Sequence, residues 1–226
     1  MDSNRWTARI AGILFIIATV AYSIGSSLIE SLIGAQDNLI KLSANENQVI
    51  IGALLVLIDA VAVAGIAVVL YPVLKKYNEA LALGYVSARI VEAVLFFVNV
   101  ITILTLLTLS HKFVQAGAPD ASYYQTLGAL LHVAANWTFL LGFGLAFTLS
   151  ALILNYVLYQ SKLIPQWLSV WGLVGAVLIF AYYLLQYSSG KQVEILFLPI
   201  AVQEMVFAVW LIAKGFNPSA IVSRSA

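Results

Sequence analysis

The sequence contains no cysteine. Because disulfides, thiolate nucleophiles, zinc–thiolate sites and thiol redox switches all require that side chain, each of these is excluded. Charge is also scarce, since Asp, Glu, Lys and Arg make up 9% of the residues and the net charge is +1. Nucleic-acid binding needs clustered Lys and Arg, so no nucleic-acid partner is expected.

Apolar residues, in contrast, are abundant and lie in long runs. They account for 62% of the 226 residues, against about 45–50% in a typical soluble domain. About 20 consecutive apolar residues cross the roughly 30 Å hydrocarbon core of a lipid bilayer. We therefore predict a single integral membrane domain over residues 1–226, an all-α polytopic transmembrane bundle of about six helices. The predicted helices cover residues 10–29, 49–74, 81–109, 127–159, 165–187 and 195–213.

Three segments differ from a plain membrane helix. The run 127–159 is longer than one bilayer span requires, so it should tilt or extend beyond the membrane surface. Pro199 predicts a kink in the first half of the last helix. Residues 30–48 mix apolar and polar side chains, which is compatible with either a short amphipathic helix on the membrane surface or a plain loop.

Lys and Arg are unevenly divided between the two sides of the predicted bundle. Seven would lie on the side of the N-terminus and three on the other. Cytoplasmic loops carry the excess of positive charge in membrane proteins, so we expect a multi-pass protein of the cell membrane with both termini in the cytoplasm. The larger set is Arg5, Arg9, Lys75, Lys76, Lys162, Lys214 and Arg224, and the smaller set is Lys41, Lys112 and Lys191.

Ionisable residues inside the predicted helices give the sharpest functional signal. They are Asp59, Arg89, Glu92 and Glu204. Each costs about 2.5–3.5 kcal/mol to insert into a membrane unless a partner or a water-filled cavity compensates it. At about ten residues, or about 15 Å, from a helix end, Asp59 and Glu204 should lie near the middle of the bilayer. We expect all four side chains to face the interior of the bundle.

The spacing of these residues predicts a charge mismatch. Arg89 and Glu92 are three residues apart on one helix and are expected to pair. Asp59 and Glu204 would then have no fixed cation, in a cavity formed by the second, third, fourth and sixth helices. Such carboxylates need a proton, a bound metal or organic cation, or a protonated His132 nearby.

His132 and Asn136 are one turn apart and should face the same cavity. The imidazole would serve either as a proton relay or as a hydrogen-bonded packing residue. No His-Glu-x-x-His spacing or comparable set of ligands is present, so neither a metal site nor another cofactor is expected.

Several short motifs occur together in an order that resembles a known family. They are Ala8-Arg9-Ile10-Ala11-Gly12, Gly84 with Arg89 and Glu92, Trp167 with Gly172, and Glu204 with Trp210-Leu211 and Lys214-Gly215-Phe216. In these the chain resembles the uncharacterised membrane family called domain of unknown function 4386. The resemblance covers nearly the whole chain. It implies a single-domain multi-pass membrane protein and implies no activity.

Three classes of function remain open. In the first, the protein binds or transports a small cation, a proton-coupled solute or an amphiphile. Asp59 and Glu204 would then take the proton or cation, while Arg89 and Glu92 form a gate or an anion contact and His132 assists. In the second, the protein is a structural or partner-binding subunit whose buried polar groups only hold helices together. In the third, it is an intramembrane enzyme that modifies lipids, with an acid as general base. The sequence makes no prediction about oligomeric state.

Overall fold

A computed structural model describes residues 2–33, 38–118, 123–189 and 193–222. The fold is 91% helix, and none of these residues lies in a strand. The helices are α1 (Asp2–Ile33), α2 (Asn38–Ala44), α3 (Glu46–Leu74), α4 (Glu79–Gln115), α5 (Tyr123–Phe139), α6 (Thr148–Ser161), α7 (Gln166–Ser189), α8 (Leu198–Ala213) and α9 (Pro218–Val222). A π-helical segment, Leu140–Phe147, joins α5 to α6, and a 3-10 turn, Glu194–Leu196, precedes α8.

The helices have the length and the apolar surface of membrane spans. Within the described ranges, five are long and apolar enough to cross a bilayer: Asn4–Ile33, Glu46–Leu74, Glu79–Gln115, Tyr123–Ser161 and Gln166–Ser188. The sixth, α8, has 16 residues and is about 24 Å long. Large apolar side chains such as Val61 and Ile101 are each 63% exposed, as expected of a surface in contact with lipid. The predicted polytopic helical bundle is confirmed.

The start of α1 and the segment that follows α8 meet at one end of the bundle. A Cβ placed on Gly215 would lie 3.8 Å from Cβ of Ala8. The amide of Asn217 donates to the carbonyl oxygen of Leu163 at 2.8 Å, and the hydroxyl of Tyr77 donates to the carbonyl oxygen of Ala220 at 3.1 Å. The start of α1, the loop after α3, the loop after α6 and the segment after α8 therefore lie at the same end of the bundle. Successive membrane helices thus run in alternating directions. Lys191 and Arg224, which were counted for orientation, lie outside the described residues.

Two predictions concern short segments, namely the kink at Pro199 and the conformation of residues 30–48. The kink predicted at Pro199 is wrong, because α8 begins at Leu198 and Pro199 lies in its first turn. Proline is well suited to that position, since the first turn of a helix leaves its backbone N–H groups unpaired. In residues 30–48 the structure has the short helix α2, whose Leu39 and Leu42 are buried. Leu39 packs against Gly128 of α5.

Close helix packing places one face of α1 against both α3 and α8. A Cβ on Gly25 would lie 2.8 Å from the carbonyl oxygen of Gly52, so α1 and α3 touch backbone to backbone. At the other end of α1, a Cβ on Gly12 would lie 2.6 Å from the carbonyl oxygen of Ala208 in α8. Small residues permit such contacts between membrane helices. As a result α1 lies between α3 and α8 and faces the ionisable residues of both.

Candidate functional site: two cavities in the bundle

Four ionisable side chains converge on one cavity in the middle of the bundle. Asp59 comes from α3, Arg89 and Glu92 from α4, and Glu204 from α8. The cavity, here called the carboxylate cavity, has a volume of about 100 Å³. Asp59, Arg89 and Glu92 are buried, at 4%, 2% and 1% exposure, whereas the side chain of Glu204 is 17% exposed. The helices thus bring together the residues that the sequence places on three separate runs.

Arg89 forms ion pairs with two of the three acids. Its Nη1 lies 3.2 Å from Oε2 of Glu92, and its Nη2 lies 3.5 Å from Oε1 of Glu204. The predicted pairing of Arg89 with Glu92 is confirmed. The prediction that Glu204 has no fixed cation is wrong, because a guanidinium group has two ends and can serve carboxylates on two helices.

Aromatic rings surround the guanidinium group on its remaining sides. The Cζ atom of Arg89 lies 5.7 Å from the ring centres of Phe15 and Tyr85 and 5.3 Å from that of Phe147. Rings at this distance attract a cation through their electron-rich faces. Arg89 is therefore held by α1, α4, the π-helical segment and α8 together, and it has little freedom to reach another acid.

Asp59 is the acid that remains without a fixed counter-charge. It makes no ion pair and no hydrogen bond with any other residue in the described ranges, although it lines the same cavity. Three ionised carboxylates and one guanidinium group would leave this cavity with a net charge of −2. Buried charges without partners are costly. The arrangement is chemically suited to accept positive charge, either as a proton or as a small cation.

His132 and Asn136 do not line the carboxylate cavity. They line a second cavity, here called the outer cavity, which has a volume of about 280 Å³ and lies among α1, α3, α4 and α5. As the one-turn spacing predicts, they face the same cavity, and Nδ2 of Asn136 donates to Nε2 of His132 at 3.2 Å. Of the six predicted site residues, four therefore meet in one cavity and two in the other.

Sequence reasoning missed the contribution of α1 to both cavities. Phe15 lines the carboxylate cavity, Ser26 and Glu30 line the outer one, and Tyr22 lines both. The sequence did indicate a polar face on α1, because Tyr22, Ser23 and Ser26 interrupt the apolar run 10–29 at helical spacing. Gln203 is also buried, but it bonds to Asn155 and to the carbonyl oxygen of Leu168 and not to the acids.

A comparison with known families agrees with this architecture. The model of the family described as "Domain of unknown function (DUF4386)" matches residues 10–215. The chain belongs to this family. The DUF4386 match includes all the residues of both cavities named above, and its description assigns no activity. No curated protein and no solved structure matches the chain. Within the part of the chain that the structure describes, no group of three His, Asp or Glu residues is arranged to hold a metal ion.

Proposed function

We propose that this DUF4386 protein binds one positive charge, a proton or a small cation, at Asp59 in the carboxylate cavity, and that this binding is coupled to transport across the membrane. The observation that carries the proposal is the charge of the cavity lining. Three carboxylates share a buried space with one guanidinium group, and that group already pairs with Glu92 and Glu204. Asp59 is left to take a compensating charge, and the Glu92–Arg89–Glu204 set keeps one negative charge.

The size and the depth of the cavity support a small occupant. A volume of about 100 Å³ admits an ion with a few waters and is too small for a lipid chain. Asp59 lies near the middle of α3, which spans Glu46–Leu74. In helical transporters the coupling-ion sites lie near the bilayer midplane, and intramembrane acids are typical of proton and cation pathways.

The test is cation flux in proteoliposomes containing the purified protein. Gradients of H⁺, Na⁺ or K⁺ are imposed in turn, and flux is followed with ion-sensitive dyes. We expect flux of one of these ions, lost in Asp59→Asn because the amide cannot hold the charge. The control is Glu79→Gln, the same chemical change at an exposed residue at the start of α4. Flux that survives in Asp59→Asn would overturn the proposal.

A structural role is the second candidate, and the Arg89–Glu204 ion pair favours it. This pair connects α4 to α8, which otherwise packs mainly on α1 and α7. In that case the polar groups hold helices together, and Asp59 is simply protonated. The two candidates differ in cation flux, and a purely structural cavity also predicts no effect of Na⁺ or K⁺ on the thermal stability of wild type relative to Asp59→Asn.

We also propose the orientation given by the positive charges. Arg5, Lys75 and Lys162 lie at the end of the bundle where the described chain ends meet, and that end should face the cytoplasm. Because the chain has no cysteine, single-cysteine variants report orientation without background. In intact cells an impermeant maleimide should label Lys112→Cys and leave Lys75→Cys unlabelled, and the reverse pattern would refute the orientation.

A further inference from the structure

The outer cavity has a polar side and an aromatic side. Tyr22, Phe96 and Phe139 form the aromatic side, with Tyr22 stacked 5.6 Å from Phe96 and 6.2 Å from Phe139 between ring centres. At about 280 Å³ the cavity is close to the lower limit of small-molecule sites, about 300 Å³. Its size and lining suit a compact organic molecule with an apolar body.

Two amide carbonyl oxygens are among the polar atoms that remain available in this cavity. Both N–H groups of the Asn99 amide are used, since Nδ2 donates to the carbonyl oxygen of Ala135 at 2.7 Å and to the hydroxyl of Thr138 at 3.1 Å. The amide nitrogen of Asn136 donates to His132. The side chain of each asparagine therefore offers a guest its carbonyl oxygen, which only accepts hydrogen bonds.

The charge of the lining points in the same direction. Glu30 contributes a carboxylate, and none of the described residues that line the outer cavity is Lys or Arg. Nε2 of His132 lies 3.2 Å from Nδ2 of Asn136. A negative guest would meet the Glu30 carboxylate and neither Lys nor Arg among the described lining residues, whereas a positive guest with several N–H groups would find a carboxylate and two amide oxygens.

We infer that the outer cavity is a second binding site, for a small primary amine in its ammonium form attached to an apolar body. The ammonium group donates to the Glu30 carboxylate and to the Asn99 and Asn136 carbonyl oxygens. The body packs against the rings of Tyr22, Phe96 and Phe139. The inference rests on the lining of this cavity alone and stands independently of cation binding at Asp59.

The test compares three ligands of nearly the same size by calorimetric titration of the detergent-purified protein. They are 2-phenylethylamine, 2-phenylethanol and phenylacetate. We expect the amine to bind about tenfold more tightly than the alcohol, since a charge-assisted hydrogen bond contributes about 1.5–3 kcal/mol and each 1.4 kcal/mol is tenfold. Phenylacetate should not bind. Equal affinity for amine and alcohol would overturn the inference, because the site would then select only apolar bulk.

Matched variants assign the ligand to this cavity. Glu30 is exposed near the end of α1, so Glu30→Gln should fold normally and weaken amine binding about tenfold while leaving alcohol binding unchanged. Glu46→Gln, at an exposed acid outside the cavity, should change neither. Ser26→Phe should fill the cavity and abolish binding of both ligands. Unchanged amine affinity in Glu30→Gln would refute the proposed ammonium contact.

Two further experiments distinguish amine binding in the outer cavity from binding in the carboxylate cavity and from binding of a lipid. Asp59→Asn should leave amine binding intact, and a loss there equal to that in Glu30→Gln would assign the ligand to the carboxylate cavity instead. Lysophosphatidylethanolamine also carries an ammonium group, but its phosphate would find no Lys or Arg in the lining. It should therefore compete poorly, and competition as strong as that of 2-phenylethylamine would overturn the assignment to a simple amine.

Discussion

The carboxylate cavity and the outer cavity share Tyr22 but satisfy their polar groups in opposite ways. In the carboxylate cavity Arg89 supplies both a cation and donors and pairs with two acids, although its single positive charge offsets only one of their two negative charges. In the outer cavity the amide nitrogens of Asn99 and Asn136 contact neighbouring groups, the amide oxygens remain available to accept hydrogen bonds, and Glu30 is the acid among the described lining residues. What a polar residue in this bundle can bind therefore depends on which of its charged or hydrogen-bonding groups have no partner inside the protein, more than on its residue type.

The largest effect that tests this comparison is expected from removing the cation of the carboxylate cavity. Arg89→Met leaves Glu92 and Glu204 without their partner, and breaking a buried ion pair in this way costs about 3–5 kcal/mol. The free energy of unfolding, measured with denaturant in detergent, should fall by that amount. Arg5→Met, at an exposed position, is the control. A loss below about 1 kcal/mol would mean that the acids are not held by Arg89.

The next effect concerns the ring that the two cavities share. Tyr22 stacks on Phe96, Phe139 and Phe143, so Tyr22→Ala removes a packed aromatic side chain and merges the two spaces. Because Tyr22 is only half-buried, we expect a loss of about 2–3 kcal/mol in the free energy of unfolding. Tyr22→Phe keeps the ring and should cost less. Equal losses in the two variants would show that the hydroxyl, and not the ring, matters.

A smaller effect is expected at the wall of the outer cavity. Asn99→Ala removes two hydrogen bonds between α4 and α5 and should lower the free energy of unfolding by about 1–2 kcal/mol. Thr102→Ala is the matched control, because the hydroxyl of Thr102 bonds only to the carbonyl oxygen of Val98 in its own helix. If the two variants show the same loss in the free energy of unfolding, Asn99 does not link the two helices.

The smallest effect should come from Asp59 itself. Asp59→Asn keeps the shape of the side chain and removes a charge that has no fixed partner, so the free energy of unfolding should change by less than about 1 kcal/mol. Glu204→Gln should cost more, since Arg89 loses one of its two carboxylates. The same denaturant titration measures both variants. A larger loss in Asp59→Asn than in Glu204→Gln would contradict the assignment of the unpaired acid.

Sequence patterns predicted what depends on spacing within one helix. The Arg89–Glu92 pair and the shared face of His132 and Asn136 both follow from helical periodicity. The Arg89–Glu204 pair was not predictable, because it depends on how α8 approaches α4 in space. The π-helical segment Leu140–Phe147 was not predicted, because its eight residues are apolar throughout and continue the run 127–159 without a break.

Infrared difference spectroscopy tests the central claim about Asp59 most directly. Spectra of wild type and Asp59→Asn are compared with and without Na⁺ or K⁺, with Glu79→Gln as control. The account predicts that Asp59 contributes either a carboxylic-acid band, marking a bound proton, or a carboxylate band that shifts when one of these cations binds. A carboxylate band from Asp59 that none of them perturbs would show an ionised acid with no compensating charge, and would contradict the account.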